Sequence, residues 1–203
     1  IEGIGKFLTE DGSSYRTIED KNGDVLIRFD NVEDQIQASD KVSSSSFGYG
    51  VAISGDYAVC GAYTEDTGAS NVGAAYVFER GHTTPGEWDA TETVKLQASD
   101  KEENDYLGYG VAISGDTVVT GAYRKNSSAG AAYIFDRSGG LWGEYLSGAT
   151  YRSETKKIHS SVTTADDEFG KSVGISGDYI IIGASKEDSG GAEVGAVYFF
   201  EKS

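Results

Sequence analysis

The string Phe47-Gly-Tyr-Gly-Val-Ala-Ile-Ser-Gly-Asp56 returns as Leu107-Gly-Tyr-Gly-Val-Ala-Ile-Ser-Gly-Asp116 and again as Phe169-Gly-Lys-Ser-Val-Gly-Ile-Ser-Gly-Asp178. Spacings of 60 and 62 residues leave room for one supersecondary unit per copy, so the chain is read first as an array. Behind each copy lies an apolar run ending in Gly61-Ala62, Gly121-Ala122 or Gly183-Ala184. After a polar loop comes a second signature: Gly73-Ala-Ala-Tyr-Val-Phe78, Gly130-Ala-Ala-Tyr-Ile-Phe135 and Gly195-Ala-Val-Tyr-Phe-Phe200. A last short segment precedes each copy: Gln35-Ile-Gln-Ala-Ser-Asp40, Lys95-Leu-Gln-Ala-Ser-Asp100 and the weaker Lys157-Ile158-His159.

Each unit therefore reads as four short antiparallel strands. In the first, 51–54 and 57–62 flank Gly55-Asp56, where glycine supplies the positive φ that a two-residue hairpin needs. Alternation beside the turn predicts that Val51, Ile53, Val111, Ile113, Val173 and Ile175 are buried. Near-continuous apolar inner strands beside more polar outer ones suit a sheet covered on both faces, the blade of a propeller. No stretch shows helical periodicity with caps.

These motifs resemble the FG-GAP repeat of extracellular β-propellers, which include the heads of integrin α subunits. The resemblance spans about residues 35 to 203 and implies an all-β propeller region over 1–203. Blades are expected at 47–106, 107–168 and 169–203, the last incomplete. Residues 1–46 read as a partial repeat in which 15–40 supplies a degraded third strand and a fourth, and 35–40 could serve as the closing strand of the last blade.

The resemblance also implies a calcium loop, Asp-x-Asp-x-Asp-Gly, between strands one and two. Here that loop has shrunk to Gly-Asp in every copy, too short to wrap a cation. Asp56, Asp116 and Asp178 are thus expected to be turn residues, and no cofactor is expected. A cation bound elsewhere would use loop carboxylates such as Asp66 or Asp188. Asp20-Lys-Asn-Gly-Asp24 is a weaker candidate, with Asp20 and Asp24 as ligands, and reads better as an Asn-Gly turn.

A net charge of −16 and a pI near 4.4 repel phosphate backbones and anionic bilayers, so neither nucleic acid nor membrane insertion is expected. Cys60 exchanges with Thr120 and Ile182 across the repeats, which marks a volume-filling strand residue. The absence of Met suggests a processed product or a segment of something longer.

His82 and His159 have no partner at metal-ligand spacing, and no nucleophile motif occurs, so no enzyme is expected. Ser54, Ser114 and Ser176 recur beside the turns and read as structural. The repeating tyrosines, Tyr49 and Tyr109 among them, read as packing. The non-repeating Trp88, Trp142 and Tyr145 are the candidate contacts for a protein or a sugar. Asn126-Ser-Ser128 is an N-glycosylation acceptor. Together these features predict an extracellular or cell-surface binding module, with a glycan-binding module as the alternative and a hydrolase on a propeller scaffold ranked behind it. Its expected partner is another protein, a second copy or further repeats of a parent chain, because unstacked blade faces need cover.

Overall fold

The computed structural model describes residues 8–10, 13–19, 25–30, 35–83 and 87–202. The chain divides into two compact units, residues 1–35 and 36–203. In the first, β1 (Leu8–Glu10), β2 (Ser13–Glu19) and β3 (Val25–Asp30) form an antiparallel sheet in the order β1-β2-β3. Residues 13–19 pair with 25–30, the nearest β-prone run, whose short connection carries little loop-closure entropy. Asp20, Asp24 and the Asn-Gly turn between them lie outside the described residues.

The second unit holds the blades. The first contains β4 (Val51–Ser54), β5 (Tyr57–Ala62), β6 (Ala74–Glu79) and β7 (Val94–Leu96). The second contains β8 (Leu107–Ser114), β9 (Thr117–Ala122) and β10 (Ala131–Ser138). Then come β11 (Leu141–Trp142), β12 (Glu144–Tyr145), β13 (Arg152–Ser153) and β14 (Lys156–Ile158). The third contains β15 (Phe169–Ser176), β16 (Tyr179–Ala184) and β17 (Ala196–Glu201). Neighbouring strands within each blade are antiparallel, and β14 is the fourth strand of blade two, beside β10. β11 stays on β10, while 144–153 reaches back to blade one: β13 adds in parallel to β7 and β12 pairs with β13, an extension the repeat pattern does not contain.

Glycine makes each turn. Gly55, Gly115 and Gly177 have φ of 57°, 53° and 56°, while Asp56, Asp116 and Asp178 are not among the positive-φ residues, which is the II′ pattern. The helical turn at Lys125–Ser128 carries positive φ at Asn126, Ser127 and Ser128, so it is a left-handed connector and no true helix.

Blades stack through two equivalent joints. At the first, Val59, Val77 and Leu96 of blade one meet Val118, Tyr133 and Phe135 of blade two in one buried cluster. At the second, Val119 and Ile134 meet Phe169, Ile180 and Ile182. Backbones approach at the glycines. A Cβ on Gly61 would overlap the Gly108 carbonyl oxygen, and one on Gly121 that of Gly170. Between the turns, the Ser54 hydroxyl accepts the Gly115 N–H at 3.0 Å and that of Ser114 accepts Gly177 at 3.1 Å, so these serines join blades.

The burial expectation holds in part. Ile113 is buried, while Val111, Val173 and Ile175 are half-buried against their clusters. Val51 and Ile53 are 69% and 66% exposed, a correction with a simple cause. These positions project toward the preceding blade, and no described blade precedes the first.

Two carboxylates tie the stack and set an acid limit. Asp100 accepts Lys157 Nζ at 2.5 Å and the Tyr133 hydroxyl at 2.8 Å; Asp136 accepts Lys202 Nζ at 2.5 Å and Thr117 at 2.8 Å. Burial pushes both carboxyls up, but these bonds outweigh it and hold them below the ordinary carboxylate range. As pH falls, the unfolded chain therefore takes up their protons first. Their stabilisation is complete above about pH 4 and is lost as pH falls through the lower folded values. Thermal melts between about pH 5 and pH 2 should show a falling Tm, with a shallower slope in Asp136→Asn; an identical slope in the variant contradicts this.

Candidate functional site

At the end of the blades opposite the Gly-Asp turns, five tyrosines form a continuous row. Tyr49 leads into β4, Tyr63 follows β5, Tyr106 precedes β8, Tyr109 lies in β8 and Tyr123 follows β9. Ring centroids are 4.7 Å apart for Tyr49–Tyr63 and Tyr49–Tyr109, 5.2 Å for Tyr63–Tyr109 and 4.6 Å for Tyr109–Tyr123. Tyr106 joins through Tyr63 at 5.6 Å and Tyr123 at 5.8 Å. The flanking glycines bring these rings together. Gly48, Gly50 and Gly61 are tied by backbone hydrogen bonds of 2.8–2.9 Å, which place the start of one strand beside the end of the next.

Cations lie on this row. The Arg124 guanidinium stands 5.1 Å from the Tyr106 centroid and Lys171 Nζ stands 5.4 Å from that of Tyr123. In the third copy the tyrosine positions carry Lys171 and Ser185, and both reach Glu168, at 2.5 and 2.7 Å. Burial raises the Glu168 carboxyl, but Lys171, Ser185 and Lys186 outweigh it and hold it low. Tyr49 is 52% exposed, and Tyr63, Tyr106 and Tyr109 are half-buried. Repetition makes these tyrosines look like packing, and they do pack on one another with Tyr123 buried, yet Tyr49 stays more than half exposed.

The hydroxyls of Tyr49 and Tyr109 are hydrogen-bonded to each other at 2.7 Å. This bond, aided by burial, pushes the Tyr109 hydroxyl up to about 12. Alkaline ultraviolet titration should show one tyrosine ionising near that value, moved toward the ordinary 10 in Tyr49→Phe. No change on substitution would place the cause elsewhere.

Other singled-out residues separate. Trp142 is 2% exposed, packed edge-on against Tyr57 at 5.4 Å, and has no surface to offer a ligand. Trp88 is half-buried against the cluster of Tyr76 and Phe78. Tyr145 is 71% exposed, with the Arg152 guanidinium 5.7 Å from its ring. The three do not form one patch. Asn126 is exposed. Cys60 is 6% exposed, and burial pushes its thiol up to about 11.

Asp66 accepts the Asn71 N–H at 2.7 Å within its own loop, and Asp188 is exposed. Among the described residues no three His, Cys, Asp or Glu side chains gather in a way that could hold a metal ion. Asp56 and Asp116 face Arg80 and Arg137 at 3.9 and 3.4 Å. His82 lies 3.8 Å from Glu79, and His159 Nδ1 lies 3.3 Å from the Ser160 carbonyl oxygen.

The buried charges are structural cross-links. Glu65, fully buried, accepts Lys95 Nζ at 2.8 Å and Gln97 Nε2 at 2.7 Å, and Lys95 also reaches Asp40 at 2.7 Å. In blade two Lys125 occupies the Glu65 position and donates to Asp105 and Glu102 at 3.0 Å each. Burial lowers the Lys125 ammonium, but those carboxylates outweigh it and raise it overall.

Among the described residues no helix is long and apolar enough to cross a membrane. No curated protein matches the chain. A family model described as FG-GAP repeat matches residues 31–78, 90–135 and 153–200. The matched segments contain the strands and glycine contacts that build the joints, and they cover well over half of the sequence: the chain belongs to the FG-GAP repeat family.

Proposed function

We propose that this chain is an extracellular, non-enzymatic binding module of the adhesion or assembly type, which contacts protein partners through the tyrosine row. The row itself carries this reading. It is a partly open aromatic strip crossing two blades, with cations on its faces. Tyrosine offers large contact area at little cost in side-chain entropy, and interfaces are enriched in it. FG-GAP repeats occur in adhesion and binding propellers, which agrees. A glycan-binding reading is favoured by one observation, since open aromatic faces at Tyr49 and Tyr145 also suit sugar rings.

An array of extracellular protein domains, printed beside a glycan array, separates the two. Wild type should mark protein spots that Tyr49→Ser/Tyr109→Ser loses by about tenfold or more, as expected for an aromatic hot spot. Marks confined to the glycan array would replace the first reading with the second. Marks unchanged in the variant would remove the tyrosine row from binding. Secretion from a eukaryotic host should add one N-glycan at Asn126, absent in Asn126→Gln; an unmodified mass would count against an extracellular route.

A further inference from the structure

The joint made twice inside the chain is present as two unmatched halves, one on blade three and one on blade one. On blades one and two, the face turned to the next blade is sealed: Val59 and Val77 are fully buried, and Ile134 is 4% exposed. Their counterparts on blade three, Ile181 and Phe199, are 41% and 76% exposed. Gly61 and Gly73 are covered by Gly108 and Leu107, and Gly121 and Gly130 by Gly170 and Phe169. Gly183 and Gly195 instead border a depression of about 480 Å3, with Ser172, Ser185 and Val197.

Three polar features of blade three are also unmatched. Strands β6 and β10 have fourth-strand neighbours, β7 and β14, while β17 is the edge of a three-stranded sheet. Glu187, 4% exposed, accepts the Ser189 N–H as Glu65 accepts that of Thr67. Glu65 also receives Gln97, but among the described residues no side chain reaches Glu187 in that way. Ser176 stands where Ser54 and Ser114 accept a turn N–H from the next blade.

Blade one carries the complement. Val51 and Ile53 are exposed where Ile113 is buried. A Cβ on Gly48 would meet nothing within 4 Å, whereas one on Gly108 would meet the Ala74 carbonyl and one on Gly170 that of Ala131. Ile36 and Ala38 pack with Tyr76 and Phe78, as Leu96 and Ala98 pack with Tyr133 and Phe135, yet they belong to no strand. Ile36 stands 12 residues before Gly48, as Leu96 stands before Gly108 and Ile158 before Gly170.

We propose that blade one of a second copy docks on blade three of the first, head to tail, repeating the internal joint. Ile36 of the copy lies opposite Val197, as Leu96 lies opposite Ala75 and Ile158 opposite Ala132. Gly48 of the copy seats on Gly183 and Gly195, its Gln37 amide donates to Glu187, and its Gly55 N–H donates to Ser176. A second copy is the occupant because it presents every complementary part at the spacing the internal joints use. Two such joints, made reciprocally, close a ring of six blades, within the usual range of about 4–8. The proposal rests on the reading of the chain as a binding module but uses residues other than the tyrosine row.

Sedimentation equilibrium of the 203-residue chain tests it. Wild type at micromolar concentration should run at twice its 21.5 kDa mass. Phe199→Glu and Ile53→Glu, both on exposed faces, should each run as folded monomers with unchanged circular dichroism. Mixing the two should restore a one-to-one dimer held by one joint, because blade three of the Ile53→Glu copy and blade one of the Phe199→Glu copy are both intact. A wild-type monomer, a polymer growing with concentration, or variants that fail to complement would overturn the proposal. Array binding by the Phe199→Glu monomer reads the tyrosine row separately, so either idea can fail alone.

Discussion

Gly121→Ala is expected to cost about 4 kcal/mol or more, a large part of the roughly 5–15 kcal/mol that holds a domain folded. The added methyl would overlap the Gly170 carbonyl oxygen and crowd the Gly170 carbonyl carbon and Cα. Backbone atoms cannot rotate aside, so blade three must move away and open the cluster of Val119, Ile134, Ile180 and Ile182. Gly183→Ala is the matched control, because its new methyl would meet only the side chain and carbonyl oxygen of Ser172 in its own blade. Made in the monomeric Phe199→Glu background, it should cost roughly 1 kcal/mol once Ser172 rotates. Urea unfolding of both variants decides the matter: equal losses would mean that the repeated glycine serves its own strand and not the joint.

Lys95→Met is expected to cost about 3–5 kcal/mol, because it leaves a buried carboxylate without its ammonium partner. Glu65 is fully buried, and Lys95 Nζ lies 2.8 Å from one of its oxygens. Gln97 and the Thr67 N–H remain, but neither carries charge. Neutralising the partner should reverse the effect, so Glu65→Gln/Lys95→Met is expected to recover most of the loss. Additive losses in the double variant would show that Lys95 acts through packing alone.

Local chemistry explains what was readable beforehand. Gly-Asp between two β-prone runs specifies a hairpin wherever it occurs, and all three turns are found with positive φ on glycine. The glycines after the second strand were visible as punctuation, but their purpose was not, because it depends on a carbonyl some fifty residues away. Val51 and Ile53 share a pattern with Val111 and Ile113, so sequence assigns them one environment; their exposure differs because burial here depends on the neighbouring blade. Trp142 looked like a surface contact because it does not repeat, yet the excursion carrying it folds back and buries it on Tyr57. The tyrosine row was hidden by the opposite fault. Repetition suggested packing, while the substitution of Lys171 and Ser185 in the third copy was the available sign of a surface.

The fold rests above all on the joint, in which the glycine closing one blade's second strand touches the glycine opening the next. Nuclear Overhauser contacts between glycine α-protons in selectively labelled protein test this directly. Cross-peaks are expected from Gly61 to Gly108 and from Gly121 to Gly170. Glycines in contact only with residues of their own repeat would contradict it.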